Sequence, residues 1–152
     1  MNYKRIYLDS YSYYLTVVIQ GRKPLLIDNI ELLRDSFKRS KQKYSYTIEA
    51  IVILPDHLHM IIRPKIAVEY SKIISHIKDQ AKSEISHKKY KRGHSGIWQE
   101  RFYEYTIRDE KDWLEKVEYI RNNPIKHNYV TSLSDWKYSS VGRDASSRHL
   151  YK

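Results

Sequence analysis

The 152-residue chain contains no cysteine, and this absence excludes both a disulfide framework and a thiolate metal site. Any metal ion would have to be held by nitrogen and oxygen ligands. No apolar run approaches the roughly 20 residues that a membrane-spanning helix requires, and the first residues lack the apolar core of a secretory signal. These absences predict a soluble protein located in the cytoplasm.

Acidic residues are scarce relative to basic ones. The chain has 28 Lys and Arg against 18 Asp and Glu, which gives a formal net charge of +10 and a sequence pI of about 9.6. Such a charge favours a polyanionic partner, because every phosphate that is neutralised releases condensed counterions. Nucleic acid is therefore the leading candidate partner, and a basic protein without such a partner is the alternative.

Apolar and alternating side chains divide the chain into strands and helices. Strands are predicted at residues 11–19, 46–54, 57–62 and 97–107. A first helix is predicted at residues 28–41, where Asp28 and Glu31 form a capping-box-like start. A second helix is predicted along the apolar stripe of Ile73, Ile77, Ala81 and Ile85. A third is predicted from the N-cap Asp109 to Asn123, ending before Pro124.

The order of these elements is βαββαβ followed by a last helix. It predicts an α+β fold, a ferredoxin-like sandwich with one mainly antiparallel sheet and helices packed on one face. The length fits a single domain, residues 1–140, in which Trp136 and Tyr138 anchor the last segment. Residues 141–152 are expected to be a frayed tail.

Two histidines follow the most apolar stretch of the chain, in the segment Pro55-Asp56-His57-Leu58-His59. In a strand, residues i and i+2 project to the same face, so His57 and His59 could bind one metal ion as neighbouring ligands. The same pattern also suits two partly exposed polar residues on the solvated face of a hairpin. The spacing leaves both interpretations open.

The last predicted helix places a tyrosine away from its apolar stripe. That stripe consists of Trp113, Val117 and Ile120. Tyr119 projects about 130–150° away from the middle of the stripe, and Asn123 lies one turn later on the same face. A phenol and an amide side by side could serve as nucleophile and metal ligand. Alternatively, they are an exposed tyrosine and an asparagine that helps the chain turn before the following proline.

The two stretches together suggest one chemistry. Two imidazoles and an amide oxygen could hold Mg²⁺ or Mn²⁺ and leave open positions for a phosphate oxygen. The metal would act as a Lewis acid while a tyrosinate attacks the phosphorus. Because a phosphotyrosine diester stores the energy of the broken bond, strand joining can follow by reversal.

Several segments resemble a known family. They are residues 54–59 (LPDHLH), 97–104 (IWQERFYE), 107–110 (IRDE), 119–127 (YIRNNPIKH) and 136–140 (WKYSS). In this ordered set the chain resembles the REP-associated tyrosine transposases, a branch of the IS200-like single-strand transposases within the HUH superfamily. The motifs Trp-Gln-x-x-Phe and Tyr-Ile-x-x-Asn-Pro are the most specific parts, and the resemblance covers most of the chain.

The resemblance implies a ferredoxin-like HUH domain, and a metal-dependent enzyme that cleaves single-stranded DNA beside a small hairpin such as a REP-like palindrome or a transposon end. It implies Tyr119 as the nucleophile that forms a 5′-phosphotyrosine and frees a 3′-OH, and His57 and His59 as ligands of Mg²⁺ or Mn²⁺. Asn123 would be the third ligand, where the insertion-sequence branch carries glutamine. Because the family contains monomers and dimers, the oligomeric state stays open.

Six cations are candidate DNA contacts: Arg63, Lys88, Lys89, Lys91, Arg92 and Arg121. Four of them belong to the basic stretch 86–96, which is predicted to be a mobile loop.

The other five histidines are predicted to lie outside the site: His76, His87, His94, His127 and His149. Two other functions compete, a catalytically silent DNA-hairpin-binding protein and an RNA-binding or ribonuclease domain on the same fold.

Overall fold

The computed structural model describes residues 11–89 and 97–140, with the side chains of 86–89 left out. The regular elements are β1 (Tyr13–Val18), α1 (Ile30–Lys43), β2 (Tyr46–Ile53), β3 (His57–Pro64), α2 (Tyr70–Lys89), β4 (Tyr103–Thr106) and α3 (Glu110–Lys126). Among the described residues, no helix is long and apolar enough to cross a membrane.

The four strands form one sheet in the order β2-β3-β1-β4, and every neighbouring pair is antiparallel. This is the predicted ferredoxin-like arrangement, with the β2–β3 hairpin between two helical crossovers. The fourth strand is shorter than expected. The buried Trp98 forms only an isolated bridge with Ile19, and its indole donates to the carbonyl of Lys78 in α2 at 3.0 Å. This contact draws the chain out of the strand direction before β4 begins.

Each face of the sheet carries its own apolar cluster. The larger cluster packs beneath α1 and α2 and contains Leu15 and Met60 of the sheet together with the predicted stripe of α2, which is buried throughout. The smaller cluster lies beneath α3 and includes Ile61, Val117 and Ile120. The first two helices therefore share one face, as predicted, and α3 covers the opposite face.

Strand β3 separates the two faces by simple alternation. Leu58, Met60 and Ile62 belong to the α1–α2 cluster, whereas Ile61 belongs to the cluster beneath α3. Side chains of odd number in this strand therefore point towards α3. This places the predicted histidine pair beneath the helix that carries the predicted tyrosine.

Helix α1 does not start with the predicted capping box. Its N-cap is Asn29, and the side-chain amide of Asn29 donates to the carbonyl of Leu25 at 2.8 Å instead of capping the helix. Glu31 pairs with Arg34 at 2.7 Å. The helix therefore begins at Ile30, two residues after Asp28, and it also ends two residues later than predicted.

Helix α3 begins as predicted and ends later than predicted. The Asp109 side chain accepts a hydrogen bond from the backbone N–H of Asp112 at 2.8 Å. The helix continues through Pro124 to Lys126, so the predicted end before the proline is wrong. Asn123 and Pro124 are both buried. The carbonyl of Asn123 still accepts a hydrogen bond from the backbone N–H of His127 at 3.0 Å, so the proline removes only the one helix hydrogen bond that its own nitrogen cannot donate.

The segment after α3 returns to the edge of the sheet at β2. The indole of Trp136 donates to the carbonyl of Ile53 at 3.1 Å, and the backbone N–H of Ile53 donates to Tyr138 at 2.8 Å. Ser140 continues this pairing by donating to Ile51 at 2.9 Å. The predicted anchoring by Trp136 and Tyr138 is confirmed, and residues 141–152 lie outside the described residues.

Helix α2 also extends further than predicted. Its backbone is helical to Lys89, inside the stretch that the sequence predicts to be a loop. The rest of that stretch, residues 90–96, lies outside the described residues.

The packing of α3 predicts that two substitutions on this helix differ strongly in their effect on the free energy of unfolding. Ile120 is fully buried and Leu114 is 50% exposed. Ile120→Ala should lower the free energy of unfolding by about 2 to 4 kcal/mol because it leaves a cavity beneath the helix. Leu114→Ala, the matched control, should change it by less than about 0.5 kcal/mol. Urea unfolding measures both values, and equal effects would contradict the assigned face.

Candidate active site

Strand β3 holds His57 and His59 side by side beneath α3. Their ring centroids are 4.8 Å apart and the rings are nearly perpendicular, with an interplanar angle of 87°. The two residues are only 4% and 5% exposed. The interpretation of this pair as solvated polar residues is therefore wrong.

The Nδ1 atom of each imidazole already has a partner. His57 Nδ1 lies 2.7 Å from the carboxylate of Asp56, which in turn pairs with Arg22 at 2.8 Å. His59 Nδ1 lies 2.8 Å from the hydroxyl of Tyr14 and 2.8 Å from that of Thr16, because β1 pairs with β3 in a register that sets Thr16 opposite His59. If the pair binds a metal ion, the Nε2 atoms are therefore the ones available to coordinate it.

Burial keeps the two imidazoles neutral. Desolvation lowers the pKa of His57, although the carboxylate of Asp56 acts in the opposite direction. Desolvation, with a smaller contribution from the charges of His57 and His127, lowers the pKa of His59 to about 3. A metal binds only unprotonated imidazole, so both rings are in the binding form at neutral pH.

Tyr119 lies directly beside the histidine pair and remains accessible. Its ring centroid is 5.4 Å from that of His59, at an interplanar angle of 85°, and the residue is 39% exposed. Val117 and Ile120 are buried on the same helix, which confirms that Tyr119 lies off the apolar stripe. The ammonium of Lys126 is 3.4 Å from the phenol oxygen. A large substrate can therefore reach this phenol.

Asn123 is completely buried, and neither its amide oxygen nor its amide nitrogen has a hydrogen-bond partner among the described residues. The buried Nε2 of His59 also lacks a partner there. An unsatisfied buried polar group lowers the free energy of unfolding by about 1–3 kcal/mol, so a bound ligand that satisfied these atoms would stabilise the fold. Two imidazole nitrogens and an amide oxygen suit a divalent cation, and the residues present fit such an ion.

No group of three or more His, Asp or Glu side chains within the described parts of the chain could hold a metal ion. The predicted set of His57, His59 and Asn123 has an amide as its third member, and it stays a prediction.

A cavity of about 500 Å³ opens beside Tyr119, between β1, β4 and α3. Its walls include His59, Lys116 and Tyr103. Tyr103 is 56% exposed, and the ammonium of Lys116 lies 4.3 Å from the ring centre of Tyr105. The site therefore offers an open hollow with a cation and an exposed aromatic ring next to the phenol, which are features that suit unpaired nucleic acid.

Sequence reasoning missed several residues of the site. His127, which was predicted to lie outside, has its ring 5.5 Å from that of His57. His127 is the C-cap residue of α3, and no sequence signal pointed to it because the helix was predicted to end before Pro124. Tyr14 and Thr16 were also missed, although their spacing places both on one face of β1. The prediction for His76 agrees with the structure, since this ring lies against Tyr44 in the α1–α2 layer.

The predicted DNA contacts are only partly described. Arg63 has a half-exposed side chain near Glu49 and Ser12, and Arg121 pairs with Glu118 at 2.9 Å. Lys88 and Lys89 belong to α2, but their side chains lie outside the described part of the structure, and the same holds for His87. Four further residues lie entirely outside the described residues: Lys91, Arg92, His94 and His149.

Comparison with known proteins identifies the family. A family model described as "Transposase IS200 like" matches residues 7–123, a range that contains the histidine pair, Tyr119 and Asn123. The chain belongs to the IS200-like transposase family. Its members include tyrosine transposases, enzymes that act on DNA, and the family resemblance inferred from the sequence is confirmed.

Two curated IS200-like relatives are similar over almost the whole chain. A REP-associated tyrosine transposase of Haemophilus influenzae is 38% identical over 154 residues, covering 94% of this chain and 86% of the relative. A REP-associated tyrosine transposase of Escherichia coli K12 is 34% identical over 151 residues, covering 98% of this chain and 87% of the relative.

Solved structures show the same fold. The structure of a REP-associated tyrosine transposase bound to a REP hairpin matches with a TM-score of 0.83 and 34% identity, covering 100% of this chain and 88% of that one. A transposase structure from Deinococcus radiodurans matches with a TM-score of 0.52 and 18% identity, covering 80% of this chain and 97% of that one. The second match supports the fold alone.

The neutral state of His59 predicts a loss of stability in acid. The unfolded chain binds a proton at this residue below about pH 6.5, whereas the folded chain does so only near pH 3. Between pH 6.5 and pH 5 this difference should lower the free energy of unfolding by about 2 kcal/mol. His59→Asn should remove that part of the pH dependence in urea unfolding with a chelator present.

His76→Asn is the control for this experiment, because His76 lies in the α1–α2 layer. It should leave the pH dependence of the wild-type protein unchanged. An unchanged pH dependence in His59→Asn would contradict the assigned state of His59.

Proposed function

We propose that this transposase cleaves and rejoins single-stranded DNA beside a small hairpin through a covalent bond to Tyr119. The observation that carries the proposal is the contact between an accessible phenol and a buried pair of neutral imidazoles. The related transposase that is 34% identical was solved with a REP hairpin, which supports a hairpin of this kind as the DNA element recognised.

The reaction exchanges one phosphodiester bond for another. The phenol oxygen of Tyr119 attacks the phosphorus and loses its proton, the bond from phosphorus to the 3′ oxygen breaks, and that oxygen leaves as a 3′-OH after taking up a proton. The 5′ end stays attached as a phosphotyrosine, and attack by a 3′-OH reverses the step. The ammonium of Lys126, 3.4 Å away, favours negative charge on the phenol oxygen in both directions.

His57 and His59 through Nε2, together with the amide oxygen of Asn123, would hold the divalent metal, Mg²⁺ or Mn²⁺. Bound there, the ion would supply Lewis-acid polarisation of the scissile phosphate. Asp56 and Arg22 orient His57, while Tyr14 and Thr16 orient His59. Burial raises the pKa of Tyr14, so its hydroxyl keeps its proton and its role as a hydrogen-bond partner.

The basic residues named above complete the proposed DNA interface: Arg63, Lys88, Lys89, Lys91, Arg92 and Arg121. Their charge would track the sugar-phosphate backbone of hairpin and single strand. We place the working enzyme, as a monomer or a homodimer with one catalytic domain at residues 1–140, in the cytoplasm.

The nucleophile is tested by a denaturing gel after incubation with labelled single-stranded hairpin DNA. With Mg²⁺ or Mn²⁺ the wild-type chain should form a DNA adduct that resists SDS, and Tyr119→Phe should lose it while retaining hairpin binding. Tyr129→Phe is the matched control, since Tyr129 is similarly exposed near the site, and it should keep the adduct. An adduct that persists in Tyr119→Phe would contradict the assignment of Tyr119 as the nucleophile. Retained binding without any adduct in the wild type would favour a silent hairpin-binding protein.

The metal site is tested through the partner of His57. Asp56→Asn removes the charge that orients the imidazole, and such changes typically lower metal affinity by about 10- to 100-fold. Calorimetric titration with Mn²⁺ should show this loss. Asp135→Asn, in the segment after α3, should bind as the wild type does. Unchanged affinity in Asp56→Asn would contradict metal binding at this histidine pair.

A further inference from the structure

The side chain of Lys116 lies in the hollow beside Tyr119. Lys116 precedes Tyr119 by three residues on α3, so the two side chains leave the helix on the same side. Both belong to the walls of the hollow, together with His59. Lys116 is half-buried, whereas Tyr119 is exposed. A partly desolvated positive charge therefore stands next to the proposed nucleophile.

Two tyrosine rings of the sheet hold the ammonium of Lys116 in place. Its Nζ atom lies 4.3 Å from the ring centre of Tyr105 in β4 and 5.4 Å from that of Tyr14 in β1. Such contacts attract a cation to the face of the ring, but they supply no oxygen or nitrogen acceptor for its N–H groups. The rings therefore fix the position of the ammonium and leave its three N–H donors for another partner.

No described residue forms a hydrogen bond or an ion pair with Lys116. The carboxylate one turn earlier, that of Asp112, instead accepts a hydrogen bond from the backbone N–H of Arg108 at 3.0 Å. Glu115 is the other charged residue of the hollow, but it is exposed and also borders a groove on the outer side of α3. A ligand with a negative charge inside the hollow would satisfy the half-buried ammonium.

The two lysines that flank Tyr119 on α3 make different contacts. The ammonium of Lys126 lies 3.4 Å from the phenol oxygen and 4.8 Å from the centre of the same ring. Lys116 contacts the rings of Tyr105 and Tyr14 instead, at the wall of the hollow through which the phenol is accessible. Lys126 thus acts on the attacking oxygen, and Lys116 is available to the group that is attacked.

We propose that Lys116 is a further catalytic residue, whose ammonium donates a hydrogen bond to a non-bridging oxygen of the phosphate that Tyr119 attacks. The inference rests on the proposed function, because this phosphate belongs to the DNA strand that is cleaved. The bond from the phenol oxygen to phosphorus forms as the bond to the 3′ oxygen breaks; the phenol loses a proton and the 3′ oxygen takes one up. Negative charge is spread over the non-bridging oxygens in this transition state, where a positioned N–H donor stabilises it.

The contact is tested at equilibrium by neutralising one phosphate at a time in the unpaired part of a hairpin DNA. A methylphosphonate linkage removes the negative charge of a single phosphate, and fluorescence anisotropy with a chelator present measures binding without cleavage. Neutralising the attacked phosphate should weaken binding to the wild-type chain by about tenfold. Lys116→Gln should bind unmodified DNA about as weakly, and the same neutralisation should then weaken it little further.

Lys111→Gln is the matched control, because it makes the same change of charge at an exposed position of the same helix. It should retain the full effect of the methylphosphonate. If thermal unfolding shows that Lys116→Gln is unstable, Lys116→Met takes its place, since methionine keeps an unbranched apolar side chain over the two rings.

The catalytic role is tested by the rate of adduct formation in a single turnover at saturating DNA. Lys116→Gln should slow this step by about 10- to 100-fold, because the lost contact is made to the reacting phosphate. Lys116→Arg, which keeps the charge, should recover part of the rate. Lys111→Gln should stay within about twofold of the wild-type rate, as expected for an exposed charge away from the hollow.

The linkage at which Lys116→Gln abolishes the effect of the methylphosphonate should be the linkage that Tyr119 cleaves, as mapped from the adduct. An effect that is lost at a different linkage, or at none, would overturn the inference, and so would an unchanged rate in Lys116→Gln. If the effect is lost at one linkage but the wild-type chain forms no adduct, the proposed cleavage and the catalytic role are both contradicted, and Lys116 is a phosphate-binding residue alone.

Discussion

The burial of two imidazoles on one face of a β-sheet is the constraint on which the candidate site depends. A buried histidine that gained a proton would carry an unsolvated charge, so the fold keeps His57 and His59 neutral and gives each Nδ1 a partner. The partner of His57 is its neighbour Asp56, and those of His59 come from β1. The central pairing of β1 with β3 is therefore as important to the site as the histidines themselves.

The two faces of the sheet have different roles. The face beneath α1 and α2 holds the larger apolar cluster and has no part in the proposed chemistry. The other face carries a smaller cluster whose polar neighbours form the candidate active site beneath α3. Helix α3 therefore covers the face that holds the proposed chemistry.

Local sequence patterns predicted the features that depend on local geometry. Strand alternation placed His57 and His59 on one face, and helical periodicity placed Tyr119 away from Val117 and Ile120. Tertiary contacts decided what was missed. Backbone hydrogen bonds continue α3 past Pro124, and the indole of Trp98 holds the preceding segment away from β4. Only the fold brought His127 near His57 and Tyr14 near His59.

The proposed metal centre is formed by the neutral imidazole pair beside Tyr119. Pulsed electron paramagnetic resonance of Mn²⁺ bound to the chain tests it directly, because the spectrum reports nitrogen nuclei coordinated to the ion. We expect couplings from two imidazole nitrogens in the wild-type protein and from one in His57→Asn. Mn²⁺ that binds without imidazole coupling in the wild-type protein would contradict a metal centre at this histidine pair.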